Sequence, residues 1–442
     1  MDRLFPLFLW IVCLAGTGSE IASAQNSPDA SPSSAPTATT QTFAFVNGRV
    51  FNGERFIDRP LYVANGRFVD APPARIDSTI DVDGDFIVPP YGDAHNHHTV
   101  DPWIYEKASE DFLAEGTFYS QVLTNRASAE KSTRDFFLRP ETMDVSTAQG
   151  GITGTLGHPF LAYEPRQMGL PPNEWSEKRD SIASSRILLE DAYWFVDSMD
   201  DLERTWPDVV TDAPDIVKIY LLDSVNHPDS VTVDDMGGVG LRQDLVAPIV
   251  QRAHASGLRV FAHVETAADV QIAVDAGVDG LGHLPGYGLP VDADIDRYRL
   301  PDSLIQQMGR QRMVVTPTTL IGTRYRSDST RYARIADLQS EMIRKLHDAG
   351  ARIAIGADWY GRPSFPEYET LASLDVFSPA ELLDLWSRVT PQAIFPNRRI
   401  GRLQPGYEAS LLVLSENPLD APEHATSIRL RLKQGHLLTA TP

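Results

Sequence analysis

Apolar and polar positions follow two textures along the chain. Near the start they form short runs, Phe43-Ala44-Phe45-Val46 and Leu61-Tyr62-Val63, each closed by an Asn-Gly pair (Asn47-Gly48 and Asn65-Gly66). Asn-Gly between apolar runs predicts a tight hairpin, because both residues tolerate positive φ. The far end matches: Ser410 to Leu414, then Ile428 to Lys433 with Gln434-Gly435 as a turn. These runs predict one small β-sandwich built from both termini, residues 42–90 and 392–442. Between them, candidate strands at 117–123, 152–157, 215–221, 258–264, 279–284, 312–317 and 352–358 alternate with helical patterns such as 242–256, 266–277, 332–349 and 378–389. With the strand that runs into Asp93 this makes eight βα units over 91–391. The pattern predicts an α/β chain with a (β/α)8 TIM barrel. A doubly wound sheet is the competing reading. Gly151 to Gly157 lacks the glycine spacing of a dinucleotide fingerprint.

The chain of 442 residues is long enough for a barrel plus an accessory domain. Its start has Arg3, an apolar stretch from Leu4 to Gly16 broken only by Pro6, then Ala22-Ser23-Ala24. Small-x-small after a short apolar run predicts a signal peptide over 1–24 and export to a periplasm or beyond. The run is shorter than the roughly 20 residues a membrane-spanning helix needs; an uncleaved anchor is the alternative. Residues 25–41 are mostly Ser, Pro, Ala and Thr and read as a disordered linker. Cys13 is the single cysteine and lies in the apolar run, so the mature chain would hold any metal through nitrogen and oxygen. The formal charge of −21 argues against nucleic acid or an anionic membrane surface as partner. The expected partner is a small-molecule substrate, with no membrane contact after signal cleavage; a homo-oligomer is compatible with the sequence.

Candidate chemistry begins at Asp93-Ala94-His95-Asn96-His97-His98, directly after an apolar strand. Alternate side chains of a strand share a face, so His95 and His97 point into one pocket and could chelate one cation, while His98 points away. A His-x-His pair alone is weak evidence. Further polar residues end other apolar runs: Lys218 in Asp215 to Tyr220, His263 after Val260-Phe261-Ala262, His283 after Gly280-Leu281-Gly282, and Asp358 after Ile353 to Ala357. Each alone would more often be a satisfied core residue. Their shared position at the C-terminal ends of strands, where barrel enzymes place active sites, is hard to explain that way. Tyr220, Glu265 and Tyr360 lie two residues beyond Lys218, His263 and Asp358, and with His158 they are substrate-binding candidates. Arg324 and Arg326 could meet a substrate carboxylate.

This set resembles the amidohydrolase superfamily, in particular its binuclear members with a carboxylated lysine, in the imidazolonepropionase-like and prolidase-like branch. The lead-in from Asp81 to His95 looks like that superfamily's first strand, with Pro89-Pro90 where Pro-Gly is usual. Thr390-Pro391-Gln392-Ala393 and Gly401 to Ala409 resemble its closing segment. The resemblance implies two divalent ions, zinc first, with manganese, iron or cobalt as alternatives. It implies His95, His97 and Asp358 on one metal, His263 and His283 on the other, a carboxylated Lys218 bridging both, and Asp358 as the catalytic proton carrier. The implied activity is hydrolysis of an amide, peptide or cyclic amide bond of a small substrate by a metal-activated hydroxide. Two other functions remain open: a one-metal deaminase of the same superfamily, with Glu265 near the reacting atoms, and a non-catalytic binding protein on the same barrel.

Overall fold

The computed structural model describes residues 41–438. The signal-like start and nearly all of the Ser/Pro/Ala/Thr stretch lie outside the described residues. No helix among the described residues is long and apolar enough to cross a membrane.

The fold is α/β and its central strands run parallel. One sheet joins Asp144–Thr147, Thr117–Thr124, Tyr91–His97 and Trp359–Tyr360 in that order. A second runs Tyr193–Phe195, Gly151–Thr153, Ile216–Leu221, Arg259–Val264, Gly280–Leu281, Val314–Val315 and Arg352–Ile353. Two chain segments join the sheets. Between the strands ending at Thr147 and starting at Gly151, Ala148 N donates to Val122 O and Asn125 N to Gln149 O, both at 3.0 Å. Beyond Ile353, Ala94 N donates to Ile355 O and Asp358 N to His95 O, both at 2.8 Å. Thr117–Thr124 and Ile216–Leu221 are buried at every position, as strands covered on both faces must be.

Helices follow the strands where the 3.6-residue pattern predicts: Gln243–Ala255, Ala267–Ala276 and Ser329–Asp348. Local chemistry sets their ends. Thr266 and Asp269 form a reciprocal capping box, and Gly277 stops the same helix at φ 83°. The expected helix 378–389 is Pro379–Asp384 continued by a π-helical turn, Leu385–Val389.

Several strands are shorter than expected. The runs at 279–284 and 312–317 keep only Gly280–Leu281 and Val314–Val315, because the chain leaves the ladder to deliver His283 and a left-handed Thr318 (φ 53°). The run at 152–157 ends at Thr153, and Leu156 takes φ 58°. The Asp144–Thr147 and Tyr193–Phe195 strands are not among those the sequence pattern predicts.

The termini build two further sheets. One orders His436–Leu438, Ile428–Lys433, Leu411–Leu414, Phe86–Val88, Arg49–Phe51 and Phe56–Asp58; the other orders Arg67–Val69, Leu61–Ala64, Phe43–Val46 and Ser78–Asp81. Phe43, Phe45, Val63, Ile87, Leu411 and Leu432 belong to one apolar cluster shared by both. Asn65-Gly66 and Gln434-Gly435 are hairpin turns, with all four residues at positive φ. Asn47-Gly48 is not. Its flanking runs enter different sheets, since Phe43–Val46 pairs with Leu61–Ala64 while Arg49–Phe51 pairs with Phe56–Asp58 and Phe86–Val88. Gly48 is required there by close approach: a Cβ would lie 2.6 Å from Ile87 Cδ1.

Candidate metal centre

The parallel strands bring all six polar strand-end residues to one cavity of about 110 Å³. His95 and His97 come from the Tyr91–His97 strand, Lys218 from Ile216–Leu221 and His263 from Arg259–Val264. His283 follows Gly280–Leu281, and Asp358 sits between Arg352–Ile353 and Trp359–Tyr360. His95 Nε2 and His97 Nε2 are 3.2 Å apart, and they lie 3.3 and 2.9 Å from Asp358 Oδ1. His283 Nε2 lies 3.7 Å from Asp358 Oδ2, and the His263 and His283 ring centres are 4.8 Å apart.

The outward ring nitrogens decide what these contacts mean. His95 Nδ1 is 2.6 Å from Gly282 O, and His97 Nδ1 is 3.1 Å from Thr124 O. A carbonyl can only accept, so each Nδ1 carries the proton and each Nε2 turns a lone pair inward. Burial pushes the His95 and His283 imidazoles well below their usual range. Three acceptor atoms therefore meet at about hydrogen-bond distance with no hydrogen between them. A cation resolves that arrangement, and imidazole with carboxylate suits a divalent transition metal. The ligand atoms of His95, His97 and Asp358 all lie within 4.8 Å of one another.

Lys218 is 1% exposed and its Nζ has no hydrogen-bond partner among the described residues. Burial lowers its amine to about 7. The room for it comes from Gly282, where a Cβ would meet Lys218 Nζ at 2.5 Å and His95 Cε1 at 3.2 Å. An orphaned amine beside a cation-ready cluster fits conversion to a carbamate, which is anionic and has two oxygens to offer. The second pair is less open: His263 Nε2 is 3.0 Å from Glu265 Oε1, which also accepts from the Tyr287 hydroxyl.

His158, Tyr220 and Tyr360 line the cavity as expected, and so does Arg324. Arg326 does not; its guanidinium packs over the Tyr332 ring. Glu265 is not part of the cavity wall, but its Oε1 reaches His263 Nε2 at 3.0 Å. His98 is held away from the ligands by Asp101 Oδ2 at 2.6 Å. Sequence reasoning missed Thr124, Tyr163 and Tyr287 in the wall. Tyr163 lies on the Phe160–Gln167 helix and Tyr287 on a loop, where no strand parity marks a residue as facing the site.

Parallel strands with reactive side chains gathered toward their C-terminal ends are where α/β enzymes place their sites. Residues 225–436 match the family model described as "Amidohydrolase family". Over that stretch, a little under half of its length, the chain is similar to the amidohydrolases, a family of hydrolases. The matched part holds His263, His283 and Asp358; His95, His97 and Lys218 precede it. No curated protein matches by sequence. Solved structures of similar fold include a Xaa-Pro dipeptidase with methionine bound in its active site (15% identity, TM-score 0.69, covering 90% of this chain and 99% of that one). A. niger ochratoxinase is 17% identical at TM-score 0.68, over 90% of this chain and 95% of its own. Phenylurea hydrolase B is 16% identical at TM-score 0.64, over 90% and 97%.

Proposed function

We propose that the chain is a metal-dependent amidohydrolase that cleaves an amide, peptide or cyclic amide bond of a small substrate at the mouth of a closed (β/α)8 barrel. His95, His97 and Asp358 would hold one divalent cation, His263 and His283 a second, and Lys218 as a carbamate would touch both. Bound cations supply Lewis acidity, which acidifies water and polarises a scissile carbonyl. The observation that carries the reading is the meeting of two imidazole lone pairs and one carboxylate oxygen beside an unpartnered buried amine.

The chain's own residues then have defined work. Water adds its oxygen to the carbonyl carbon, the carbon–nitrogen bond breaks, and one proton must move from water to the leaving nitrogen. Asp358 carries it: its carboxyl is ionised, faces the cavity, and is fixed by imidazoles that cannot themselves give it a proton. Burial holds the Tyr163 and Tyr220 phenols above their usual range, so they stay protonated and can donate to substrate oxygens. Arg324 supports a substrate with an anionic end. The cavity volume favours a substrate of dipeptide size or smaller. The dipeptidase and the phenylurea hydrolase among the similar folds support carbon–nitrogen cleavage here.

The test is a metal count with a substrate screen. Metal-loaded protein should carry about two ions per chain and hydrolyse at least one class among dipeptides, N-acyl amino acids and lactams. Asp358→Asn keeps the shape and loses the proton acceptor, so kcat should fall by about 10²–10⁴-fold with the fold retained. Wild-type kcat in Asp358→Asn rejects the assigned role. A count near one ion favours the deaminase reading.

A further inference from the structure

His95 and His97 lean on main-chain carbonyls, which fix the ring tautomer without help. His283 leans on a hydroxyl, which can either donate or accept. Its Nδ1 is 2.8 Å from Thr318 Oγ1. That hydroxyl has one proton and already donates it to Pro317 O at 2.8 Å. It can then only accept from His283, so Nδ1 carries the ring proton and Nε2 turns its lone pair toward Asp358.

The hydroxyl stays there only while the backbone of Thr318 holds φ 53°, a conformation that a β-branched residue rarely adopts. The adjoining residues are clamped from a different element. Glu367, fully buried on the Phe365–Ser373 helix, accepts from Thr319 N at 2.8 Å and Thr319 Oγ1 at 3.0 Å through Oε1. Its Oε2 accepts from Leu320 N at 2.6 Å. Both carboxylate oxygens are thus committed to one short stretch of loop, directly after the strained residue.

We propose that Glu367 is a positioning residue for the metal centre: by clamping Thr319 and Leu320 it holds Thr318 in its left-handed turn and so fixes the tautomer of His283. The inference rests on reading His283 as a ligand, but the clamp acts on the ring in the absence of any metal. Glu367 touches neither substrate nor cavity. Partners of this outer kind commonly change metal affinity by about 10–100-fold when removed.

Nitrogen-15 NMR of histidine-labelled, metal-free protein reads the tautomer directly. Wild type and Thr318→Ser should show His283 as a single Nδ1–H form. Thr318→Val removes the acceptor, and Glu367→Gln sets an amide N–H against a backbone N–H; both should move His283 to Nε2–H or a mixture. Zinc and cobalt titrations of the same proteins should show affinity at the His283 site about tenfold or more weaker in Thr318→Val and Glu367→Gln, and restored in Thr318→Ser. Circular dichroism checks folding, and Glu367→Asp, which keeps the charge but withdraws the carboxylate from Thr319 and Leu320, carries the test if Glu367→Gln does not fold. An unchanged Nδ1–H signal with wild-type metal affinity in folded variants overturns the proposal. The expected tautomer shift in the variants, with a wild type that binds no metal, supports the clamp and overturns only the ligand reading.

Discussion

At Lys218 the cost of burying an amine becomes a measurable pH dependence. Its amine is lowered to about 7 by burial, whereas an unfolded lysine titrates near about 10.4. Between those values the unfolded chain keeps a proton that the native amine has lost, so stability rises with pH across that window. Below about 7 both states are protonated and the full cost of a buried ammonium stands. Lys218→Met removes the titration while filling similar space. In metal-free, carbon dioxide-free buffer, Lys218→Met should therefore melt above wild type, with its Tm advantage largest at pH 7 and below and shrinking toward pH 10. An advantage that does not change with pH would show that Lys218 is not buried as a strained amine. At this scale the site was largely legible. His95, His97, Lys218, His263, His283 and Asp358 each break an apolar run, Lys218 inside its strand rather than at the end expected for it, and the fold brings all six together. Thr318 and Tyr287 were not legible, because they act from loops whose backbone conformation no periodicity records.

The elements carry the site through where they stop. The Gly280–Leu281 strand is two residues long, and the chain turns out of the sheet so that Gly282 O can receive His95 Nδ1 while His283 enters the cavity. Gly282 has no special backbone angle; what it lacks is a side chain, in the space that Lys218 Nζ occupies. Gly282→Ala should place a methyl against both Lys218 and His95. Overpacking of this kind costs about 1–3 kcal/mol, and the two displaced groups are proposed ligands. The expected result is lower metal occupancy by plasma mass spectrometry, with kcat/KM falling more than Tm. Wild-type occupancy would mean that the amine moves aside freely. Buried strands such as Ile216–Leu221 and capped helices such as Ala267–Ala276 were legible because apolar run and cap chemistry agree. The strands shortened to two residues were not, since whether an apolar run stays in the ladder depends on the groups beyond it. Asn47-Gly48 misled for a related reason: it permits positive φ, and the partners of the flanking strands decide whether the chain folds back or crosses to another sheet.

At the scale of the molecule, the sheets built by both termini are tied to the base of the parallel strands by a buried ionic cluster. Lys433, 0% exposed on the Ile428–Lys433 strand, donates to Thr142 O and Asp144 Oδ1, each at 2.6 Å. Asp144 Oδ2 is 2.7 Å from Arg398 Nη1, and Arg398 Nη2 is 2.8 Å from Glu408 Oε2. The pairing of Ser410 to Leu414 with Ile428 to Lys433 was legible in the sequence, but this cluster was not, because its members are far apart in the chain and none sits in a motif. Removing one member of a buried ion pair is more costly than never having had the pair, since the partner keeps its charge without water. Asp144→Asn would leave Lys433 and Arg398 facing a neutral amide and should lower stability by about 3–5 kcal/mol. Asp85 offers the contrast: its partner Arg429 is 58% exposed, so Asp85→Asn should cost about 0–1 kcal/mol. Asp144 begins its strand, at the end opposite the cavity, so folded Asp144→Asn should retain wild-type kcat. Urea unfolding of both variants with kcat measured below the transition checks the argument. Equal stability of the two variants would show that the cluster is no more than a surface pair, and that the terminal sheets are held on by their apolar contacts alone.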